Sequence, residues 1–350
     1  MENIDQTESI HKGLNYIVSR QTASGEFPSY ISRDEDCVDL HLDGTIFPSI
    51  VTGITLKDIQ RDFSHVDSTG LNQALNNLER FVLANQRYDS IWSFWNKTNL
   101  FFYLQPADID DTVCASLFLQ DKFPAITENK SIFSSLGKRN GMYHTWLVPR
   151  LRNVLSRAGR AHNARFRLHP LKMIQFFKST EASYHDADLV VQANVLLYLG
   201  DCESTVSVKQ VIEEYILAGN DQLVDKWYHR HLYFLMLIAK CAAHKMQFSA
   251  ECINQIKDQI QDAWSPQKHI YGADILDSTF AMTALSYLNI PVQKEAITTL
   301  KDSQQEDGSW GNHILFYGGQ QCRSKAMHVG WASESMTTAF CVEALLRSQA

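Results

Sequence analysis

Apolar residues recur at helical spacing along most of the chain, and this pattern predicts a helical protein. The clearest segments are 10–19, 71–84, 112–120, 188–199, 207–217, 230–244, 250–263, 275–288 and 334–347. Residues at i, i+3, i+4 and i+7 share one helix face, so each segment has a face to bury. The short apolar run from Ile46 to Val51 has no obvious partner strand, and the connectors carry Gly, Pro, Asn and Asp. We therefore predict an all-α fold, with residues 1–350 forming a single domain.

Three helix starts resemble one another and indicate a weak internal repeat. They read DIDDTVCASLFL from 108, DADLVVQANVLLYL from 186 and DILDSTFAMTALSYL from 274. Each has acidic residues, then small residues, then aliphatic ones, and the spacing leaves room for two helical hairpins per repeat. Closing such hairpins into a ring leaves no exposed end repeat. The pattern therefore favours an α/α barrel of about six inner and six outer helices.

Composition and charge exclude several classes of function. The net charge of −7 at pH 7 argues against nucleic acid as a partner. The seven cysteines are scattered without a CxxC pair, which is typical of reduced thiols rather than of disulfides or a zinc site. The polar, acidic N-terminus does not resemble a signal peptide, and the longest apolar runs are too short to span a bilayer. We predict a cytoplasmic location.

Three carboxyl groups stand together immediately before an apolar helix, at Asp108, Asp110 and Asp111. A single Asp at such a position is ordinary, because it caps the helix and favours the positive end of the helix dipole. Three are more than a cap requires. Crowded carboxyl groups cannot all ionise cheaply, so one of them keeps its proton near neutral pH. A neutral acid of this kind is a proton donor.

The sequence from Asp108 to Thr112 resembles the Asp-X-Asp-Asp motif of class II terpene cyclases, the group that holds squalene–hopene cyclase and copalyl diphosphate synthase. A second motif is similar to the QW repeat of that superfamily. Its clearest copy is Gln304, Gly308 and Trp310, and weaker copies are Gln21, Gly25, Phe27 and Gln86, Ser90, Trp92. We expect this motif to join an outer helix to its neighbour, without a chemical role.

The resemblance implies an enzyme that starts cyclisation by protonating an alkene or epoxide. By the same resemblance, Asp110 is the Brønsted acid. Asp108 and Asp111 would hold Asp110 and help to reload its proton from solvent. We predict that Asn194 orients the Asp110 carboxyl group, although helix packing is an equal alternative.

The single-domain length is similar to that of the small meroterpenoid cyclases, whose polyprenyl substrate chain is attached to an aromatic acid. A copalyl- or drimenyl-type diphosphate cyclase and a non-catalytic helical binding protein are the alternatives.

Aromatic side chains are expected to stabilise the carbocations, because their faces attract a cation without offering it a nucleophile. Ordinary core packing is the alternative for each of them. The residues predicted to bind the substrate are Trp92, Trp95, Phe102, Tyr143, Trp146, Tyr317 and Trp331.

Residues 138–172 are strongly basic and contain no Asp or Glu. The arginines of this segment are Arg139, Arg150, Arg152, Arg157, Arg160, Arg165 and Arg167. We predict that the segment binds an anionic substrate head group or makes peripheral contact with an anionic membrane surface. A solvated basic helix, or a contact with an acidic subunit surface, is the other interpretation. The oligomeric state is left open.

No metal or other cofactor is predicted, although Mg²⁺ would assist if the substrate were a diphosphate. Glu35, Asp36 and Asp39 imitate the DDxxD motif of class I terpene synthases, but the second acidic motif of that class is missing. His229 and His231 are two residues apart, too close to share one face of a helix, which disfavours a metal site there. The pattern of a zinc-dependent prenyltransferase subunit is also missing.

Overall fold

The computed structural model describes residues 2–64, 66, 69–88, 90–148, 170–220, 225–322 and 325–349. Thirteen α-helices lie in these ranges. They are α1 (Glu2–Arg20), α2 (Phe47–Asp62), α3 (Thr69–Ala84), α4 (Ile109–Leu119), α5 (Lys130–Leu136), α6 (Pro170–Ser179), α7 (Leu189–Leu199), α8 (Val206–Leu217), α9 (His231–Ala243), α10 (Ala250–Asp262), α11 (Ile275–Tyr287), α12 (Lys294–Asp302) and α13 (Glu334–Arg347). A 3₁₀ helix, Pro124–Asn129, precedes α5.

Six of the helices pack in a closed ring, in the order α2, α4, α7, α9, α11 and α13. Their side chains are buried on nearly every side, which explains why these segments are apolar around most of the helix. Helix α8 buries only one stripe, at Val208, Ile212 and Ile216. This four-residue spacing places α8 outside the ring, because a single apolar face has only one side to cover.

The three repeated sequences begin three ring helices, α4, α7 and α11. Asp108 and Asp274 are N-caps whose carboxylates accept a hydrogen bond from the backbone N–H three residues later. Asp188 occupies the same position before α7 without making that bond. Acidic residues at these starts are stabilised by capping and by the positive end of the helix dipole. Any role beyond that depends on the residues that surround them.

The predicted all-α fold is wrong, because the described chain also contains three antiparallel sheets. The largest has the strand order β2-β1-β8-β7. Its strands are β1 (Tyr30–Ser32), β2 (Leu40–Leu42), β7 (Ile314–Cys322) and β8 (Lys325–Ala332). The pairs β3 (Lys138–Arg139) with β4 (Met142–Tyr143), and β5 (Trp264–Ser265) with β6 (Ile270–Tyr271), form two small sheets. The short apolar run from Ile46 to Val51, for which the sequence offered no partner strand, provides the N-cap and the first turn of α2.

One row of side chains crosses all four strands of the largest sheet. Phe316 pairs with Trp331, Trp331 with Ile31, and Ile31 with His41. Paired residues in antiparallel strands share a face of the sheet, so these four side chains point the same way. The sheet therefore presents aromatic and aliphatic groups on one face, with a histidine at its outer strand.

A further element of the fold concerns the segment from Gln304 to Trp310. The Gln304 amide donates to the Ser9 carbonyl oxygen of α1 at 2.9 Å, and the indole N–H of Trp310 donates to the Leu300 carbonyl oxygen at 2.7 Å. Gly308 has a φ of +94°, and a Cβ there would lie 2.6 Å from the Lys12 carbonyl oxygen. These contacts join α12 to α1.

No helix in the described ranges has both the length and the apolar character needed to cross a bilayer.

Candidate functional site: a carboxyl group in an aromatic cavity

A cavity of about 460 Å³ lies between the largest sheet and the starts of several helices. Its volume is within the range of roughly 300–1,000 Å³ typical of small-molecule sites. Most of its wall is aromatic or aliphatic. The aromatic side chains in the wall are Phe47, Phe94, Trp95, Phe101, Trp146, Phe176, Trp227, Tyr228, Phe316, Tyr317 and Trp331. The row across the sheet, from Phe316 to His41, also lies in the wall.

The carboxyl groups of Asp108, Asp110 and Asp111 reach the cavity wall at the start of α4. Two backbone hydrogen bonds fix this start. The Ile109 N–H donates to the Thr145 carbonyl oxygen at 2.8 Å, and the Leu147 N–H donates to the Ala107 carbonyl oxygen at 2.9 Å. The three carboxyl groups are all buried, with Asp110 the most exposed at 8%.

Both carboxyl oxygens of Asp110 contact a polar side chain from another part of the chain. The Asn194 amide of α7 donates to Oδ1 at 2.8 Å, and the Tyr228 hydroxyl lies 2.5 Å from Oδ2. Tyr228 is held in turn by Asp225, whose Oδ1 accepts from the Tyr228 N–H at 3.1 Å and whose Oδ2 accepts from the Val190 N–H at 3.1 Å. The orientation of the Asp110 carboxyl group is therefore fixed by α7 and by the loop before α9.

Burial is the main cause of an unusual titration at Asp110. It raises the pKa of Asp110 to about 7, and the charge of Asp108 adds to the increase. The hydrogen bonds from Tyr228 and Asn194 favour the ionised form and lower the pKa, but by less than burial raises it. A carboxylic acid in this setting keeps a substantial neutral fraction at neutral pH, and it can donate its proton into the cavity.

Asp108 and Asp111 form a carboxyl pair beside Asp110. The Asp111 N–H donates to Asp108 Oδ1 at 2.8 Å, as expected of an N-cap. Burial raises the pKa of Asp108 to about 6, whereas a hydrogen bond from the Asp111 side chain lowers it. Burial and the neighbouring charge of Asp108 raise the pKa of Asp111 well above its usual range. Asp108 is therefore the more acidic member of the pair, and Asp111 keeps the proton.

The seven aromatic residues selected from the sequence divide into two groups. Trp95, Trp146, Tyr317 and Trp331 lie in the cavity wall. Trp92, Phe102 and Tyr143 are at most 2% exposed and pack in the protein core instead. The Trp92 indole donates to the Val82 carbonyl oxygen at 2.8 Å, and the Tyr143 hydroxyl donates to the Ser204 carbonyl oxygen at 3.0 Å. Trp92, Trp95 and Phe102 all lie just upstream of the Asp motif in the sequence, but among these three Trp95 alone lies in the described cavity wall.

Several residues of the site were not selected from the sequence. Tyr228 contacts Asp110, Trp227 lies in the cavity wall, and Asp43 lies there between two tryptophans. The adjacent pair Trp227-Tyr228 is a recognisable aromatic signal, but the sequence does not indicate that it lies beside α4. Asp43 gives no comparable signal.

Two side chains that can carry a positive charge lie in the described cavity wall, Arg33 and His41. Both are exposed, so they mark where the cavity meets solvent. His41 contacts Asp39 at 3.1 Å, and the nearby Glu35 accepts a 2.8 Å hydrogen bond from the Tyr317 hydroxyl. This end of the cavity is therefore polar and charged, in contrast to its aromatic interior.

The basic segment 138–172 lies largely outside the described residues, because 149–169 are not described. Its described members contact the protein itself. Lys138 donates to Ser207 Oγ at 2.7 Å, Arg139 donates to the His185 carbonyl oxygen at 3.3 Å, and Lys172 lies over the Tyr103 ring.

The two histidines near Tyr228 have separate surroundings. His229 stacks on Tyr317, with ring centroids 4.1 Å apart, whereas His231 contacts Gln259 Oε1 at 2.8 Å. They therefore face different neighbours, as their spacing in sequence suggests.

Comparison with known proteins shows that this chain is similar in fold to several solved structures. No protein-family model matches the chain, and no curated protein matches it in sequence. Among solved structures, a variant of the type II terpene cyclase MstE from Scytonema, in complex with its substrate geranylgeranyl dihydroxybenzoate, superposes with a TM-score of 0.67. The two are 14% identical, and the match covers 98% of this chain and 97% of that one.

Two further solved structures give the same result. Another MstE variant, in complex with its product merosterolic acid A, has a TM-score of 0.64 and 14% identity, with the same coverage. A protein from Actinoplanes has a TM-score of 0.65 and 12% identity, and the match covers 99% of this chain and 100% of that one. The chain therefore has the overall fold of the type II terpene cyclase MstE, over nearly the full length of both proteins.

Proposed function

We propose that this protein is a class II terpene cyclase, and that its substrate is a linear polyprenyl chain attached to an aromatic acid. The observation that carries the proposal is Asp110, a buried carboxyl group held by Asn194 and Tyr228 at the wall of an aromatic cavity. The shared fold with MstE, which is in complex with geranylgeranyl dihydroxybenzoate, supports both the reaction and the substrate class.

Asp110 is the proposed proton donor. An unactivated alkene is a very weak base, so its donor must be neutral, desolvated and fixed in direction. The burial of Asp110 and its pKa of about 7 meet the first two requirements, and its two hydrogen-bond partners meet the third. The Asp110 O–H bond breaks as the π electrons of the terminal double bond form a new C–H bond. The products of this step are a carboxylate and a tertiary carbocation.

The cavity wall is suited to the cation that follows. Aromatic faces from Phe47, Phe94 and Phe316 meet edge-to-face close to Tyr228, with ring centroids 5.4–6.4 Å apart. Such faces attract a carbocation and offer no lone pair that would capture it. Successive double bonds of the chain then attack the cation and form the rings. The last cation loses a proton or captures water.

Asp108 and Asp111 are proposed to hold Asp110 and to help restore its proton. The Asp111 side chain retains a proton next to Asp110, and the charge of Asp108 raises the pKa of Asp110. The charge of Asp108 favours the neutral donor before each turnover, and the proton on Asp111 is available to restore the donor afterwards. Neither residue is needed to contact the alkene.

The head group is proposed to be an anion at the solvent end of the cavity. Arg33 supports this idea, because a guanidinium is always cationic and forms paired hydrogen bonds with a carboxylate. His41 adds a second cation when it is protonated. With a carboxylate head group, no metal is required by the proposed mechanism. A chelator should then leave turnover unchanged.

The experiment that tests the proposal is incubation with geranylgeranyl dihydroxybenzoate and, separately, with geranylgeranyl diphosphate, each with and without chelator. Cyclisation with loss of a proton gives an isomer of the substrate, so the products should be separated by chromatography and identified by NMR and mass. We expect cyclic products from the aromatic acid in both conditions. Cyclisation of the diphosphate alone, abolished by chelator, would instead identify a diphosphate cyclase. Binding without turnover of either compound would favour a binding protein.

A further inference from the structure

The tryptophans in the described cavity wall share one feature, which is that each donates its indole N–H to an aspartate. The pairs are Trp95 with Asp43 at 3.1 Å, Trp331 with Asp43 at 2.8 Å, Trp146 with Asp186 at 3.0 Å and Trp227 with Asp188 at 3.1 Å. The four tryptophans come from a loop, a strand and two different connections between helices. A common local structure therefore does not explain the shared partner.

Tryptophans of the packed core use a different acceptor. Trp92 donates to the Val82 carbonyl oxygen at 2.8 Å, and Trp310 donates to the Leu300 carbonyl oxygen at 2.7 Å. A backbone carbonyl is thus sufficient to satisfy a buried indole in this protein. A carboxylate is a more expensive acceptor, because its charge must be moved out of water. The use of an aspartate carboxylate for each of these cavity tryptophans therefore indicates a function beyond accepting a hydrogen bond from the indole N–H.

The benefit follows from the electrostatics of the indole ring. A hydrogen bond to a charged acceptor is stronger than one to a neutral acceptor and holds the ring in one orientation. It also pushes electron density into the indole, which makes the ring face more negative. Cation–π attraction depends on that negative face, so a carboxylate behind the ring edge strengthens it. Asp186 and Asp188 do not line the described cavity, and Asp43, which does, has both carboxylate oxygens engaged by N–H donors.

We propose that Asp43, Asp186 and Asp188 are positioning residues, which orient and polarise the cavity tryptophans and so stabilise carbocations during cyclisation. The proposal rests on the proposed cyclase function and goes beyond it, since these carboxylates act through the indoles rather than on the substrate.

Asp43 offers the clearest test of the three. Its Oδ2 accepts from both Trp95 and Trp331, and its Oδ1 accepts from the Asn99 amide at 2.7 Å. The other two carboxylates have additional partners that complicate a substitution. Asp186 forms a 2.6 Å ion pair with Lys226. Asp188 precedes α7 and accepts from the Thr145 hydroxyl at 2.6 Å.

The experiment compares Asp43→Asn with Asp258→Asn, a control that removes the same charge from the exposed face of α10. Tryptophan ¹⁵N labelling allows the indole N–H resonances to be followed by NMR without substrate. In Asp43→Asn we expect two of these resonances to move upfield and kcat to fall about tenfold, with KM within about twofold. Partly cyclised products should increase. In Asp258→Asn, neither the resonances nor the products should change.

Several outcomes would overturn the proposal. If the parent protein cyclises the substrate, and Asp43→Asn matches it in kcat and in products, the aspartates have no role in the cascade. Unmoved indole resonances would show that the pairs do not form in solution. If the parent does not cyclise any polyprenyl substrate, the proposed function fails first and this proposal fails with it.

A second pair of variants covers the case in which Asp43→Asn does not fold. Trp95→Phe and Trp331→Phe each keep an aromatic face but remove one N–H donor to Asp43. We expect each variant to have a lower kcat than the parent and a KM that changes by a smaller factor. Parental kcat in both variants would contradict the proposal.

Discussion

The Tyr228 hydroxyl lies 2.5 Å from Oδ2 of Asp110, although the two residues are 118 positions apart in the sequence. This contact stabilises the ionised carboxylate and so lowers the pKa of Asp110, opposing the larger effect of burial. Tyr228 itself stays protonated, because burial raises the pKa of its hydroxyl group well above the usual value. The tyrosine therefore tunes the strength of the proposed acid.

Replacing Tyr228 should shift the titration of Asp110 in a known direction. Tyr228→Phe removes a hydrogen bond that favours the carboxylate, so the pKa of Asp110 should rise above about 7. The pH at which kcat/KM begins to fall should rise with it. Tyr233→Phe is a suitable control, since Tyr233 stacks on Tyr228 with ring centroids 5.7 Å apart. A pH profile that shifts equally in both variants, or shifts downward in Tyr228→Phe, would contradict this role.

Activity of the unmodified protein should decrease as the pH rises through about 7. The neutral form of Asp110 is the proposed donor, and its pKa is raised to about 7, mainly by burial. The measurement is kcat/KM from pH 5 to pH 9. Burial also raises the pKa of Glu26 to about 7, so Glu26→Gln is the necessary control. We expect activity to decline with rising pH in Glu26→Gln as it does in the parent. If Glu26→Gln showed no decline, the titrating group would be Glu26 rather than Asp110.

Stability should depend on Asp110 in the opposite sense from an ordinary surface carboxylate. The pKa of Asp110 is raised from 3.8 to about 7 in the folded state, so the folded protein holds this proton more tightly than the unfolded chain. The associated stability is complete below pH 3.8 and is lost as the pH rises through about 7. Asp110→Asn avoids the loss.

The free energy of unfolding at pH 8 should therefore be higher for Asp110→Asn than for the parent, by no more than about 4 kcal/mol. The difference should shrink toward zero as the pH falls to about 4. Denaturant titrations at the two pH values measure it, with Asp258→Asn as the exposed control. A variant that is less stable than the parent at pH 8 would show that Asp110 is held mainly in its ionised form.

Binding of the head group should depend on Arg33. Arg33→Gln removes the guanidinium at the solvent end of the cavity, so KM for geranylgeranyl dihydroxybenzoate should rise about tenfold while kcat changes little. The methyl ester of the substrate has no charge, and its KM should not respond. Arg80→Gln on the exposed face of α3 is the matched control. An unchanged KM in Arg33→Gln would direct attention to the arginines of 138–172.

Helical periodicity predicted five of the six ring helices, but it predicted neither α2, which begins in the run from Ile46 to Val51, nor the sheet. Each ring helix carries a long apolar pattern, whereas β1 and β2 have only three residues each. Strand β7 contains Gly318 and Gly319, and glycine is disfavoured in strands. Its pairing with β8 and β1 is decided by contacts between distant parts of the chain, which a local pattern does not encode.

Within the site, the sequence points to the proposed acid more directly than to the residues that surround it. Crowded carboxyl groups indicate a proton donor at the start of α4, and the resemblance assigns that role to Asp110. An orienting contact from Asn194 was predicted, with helix packing as an equal alternative. Whether either residue takes part in catalysis stays a prediction. The aromatic wall depends on which face of each helix or strand meets the cavity, so Tyr228 was missed while Trp92 and Phe102 were selected. The assignment of the chain to a single domain also stays a prediction.

The most direct test of the proposed mechanism is the rate of cyclisation by Asp110→Asn. Asparagine keeps the shape of the side chain and a hydrogen-bonding amide, but it has no transferable proton. We expect a folded variant that binds the substrate and turns over at least about a thousandfold more slowly than the parent, consistent with loss of the general acid. Asp108→Asn and Asp111→Asn should lose less, because they support the donor. Cyclisation by Asp110→Asn within about tenfold of the parent rate would contradict both the assignment of the acid and the mechanism.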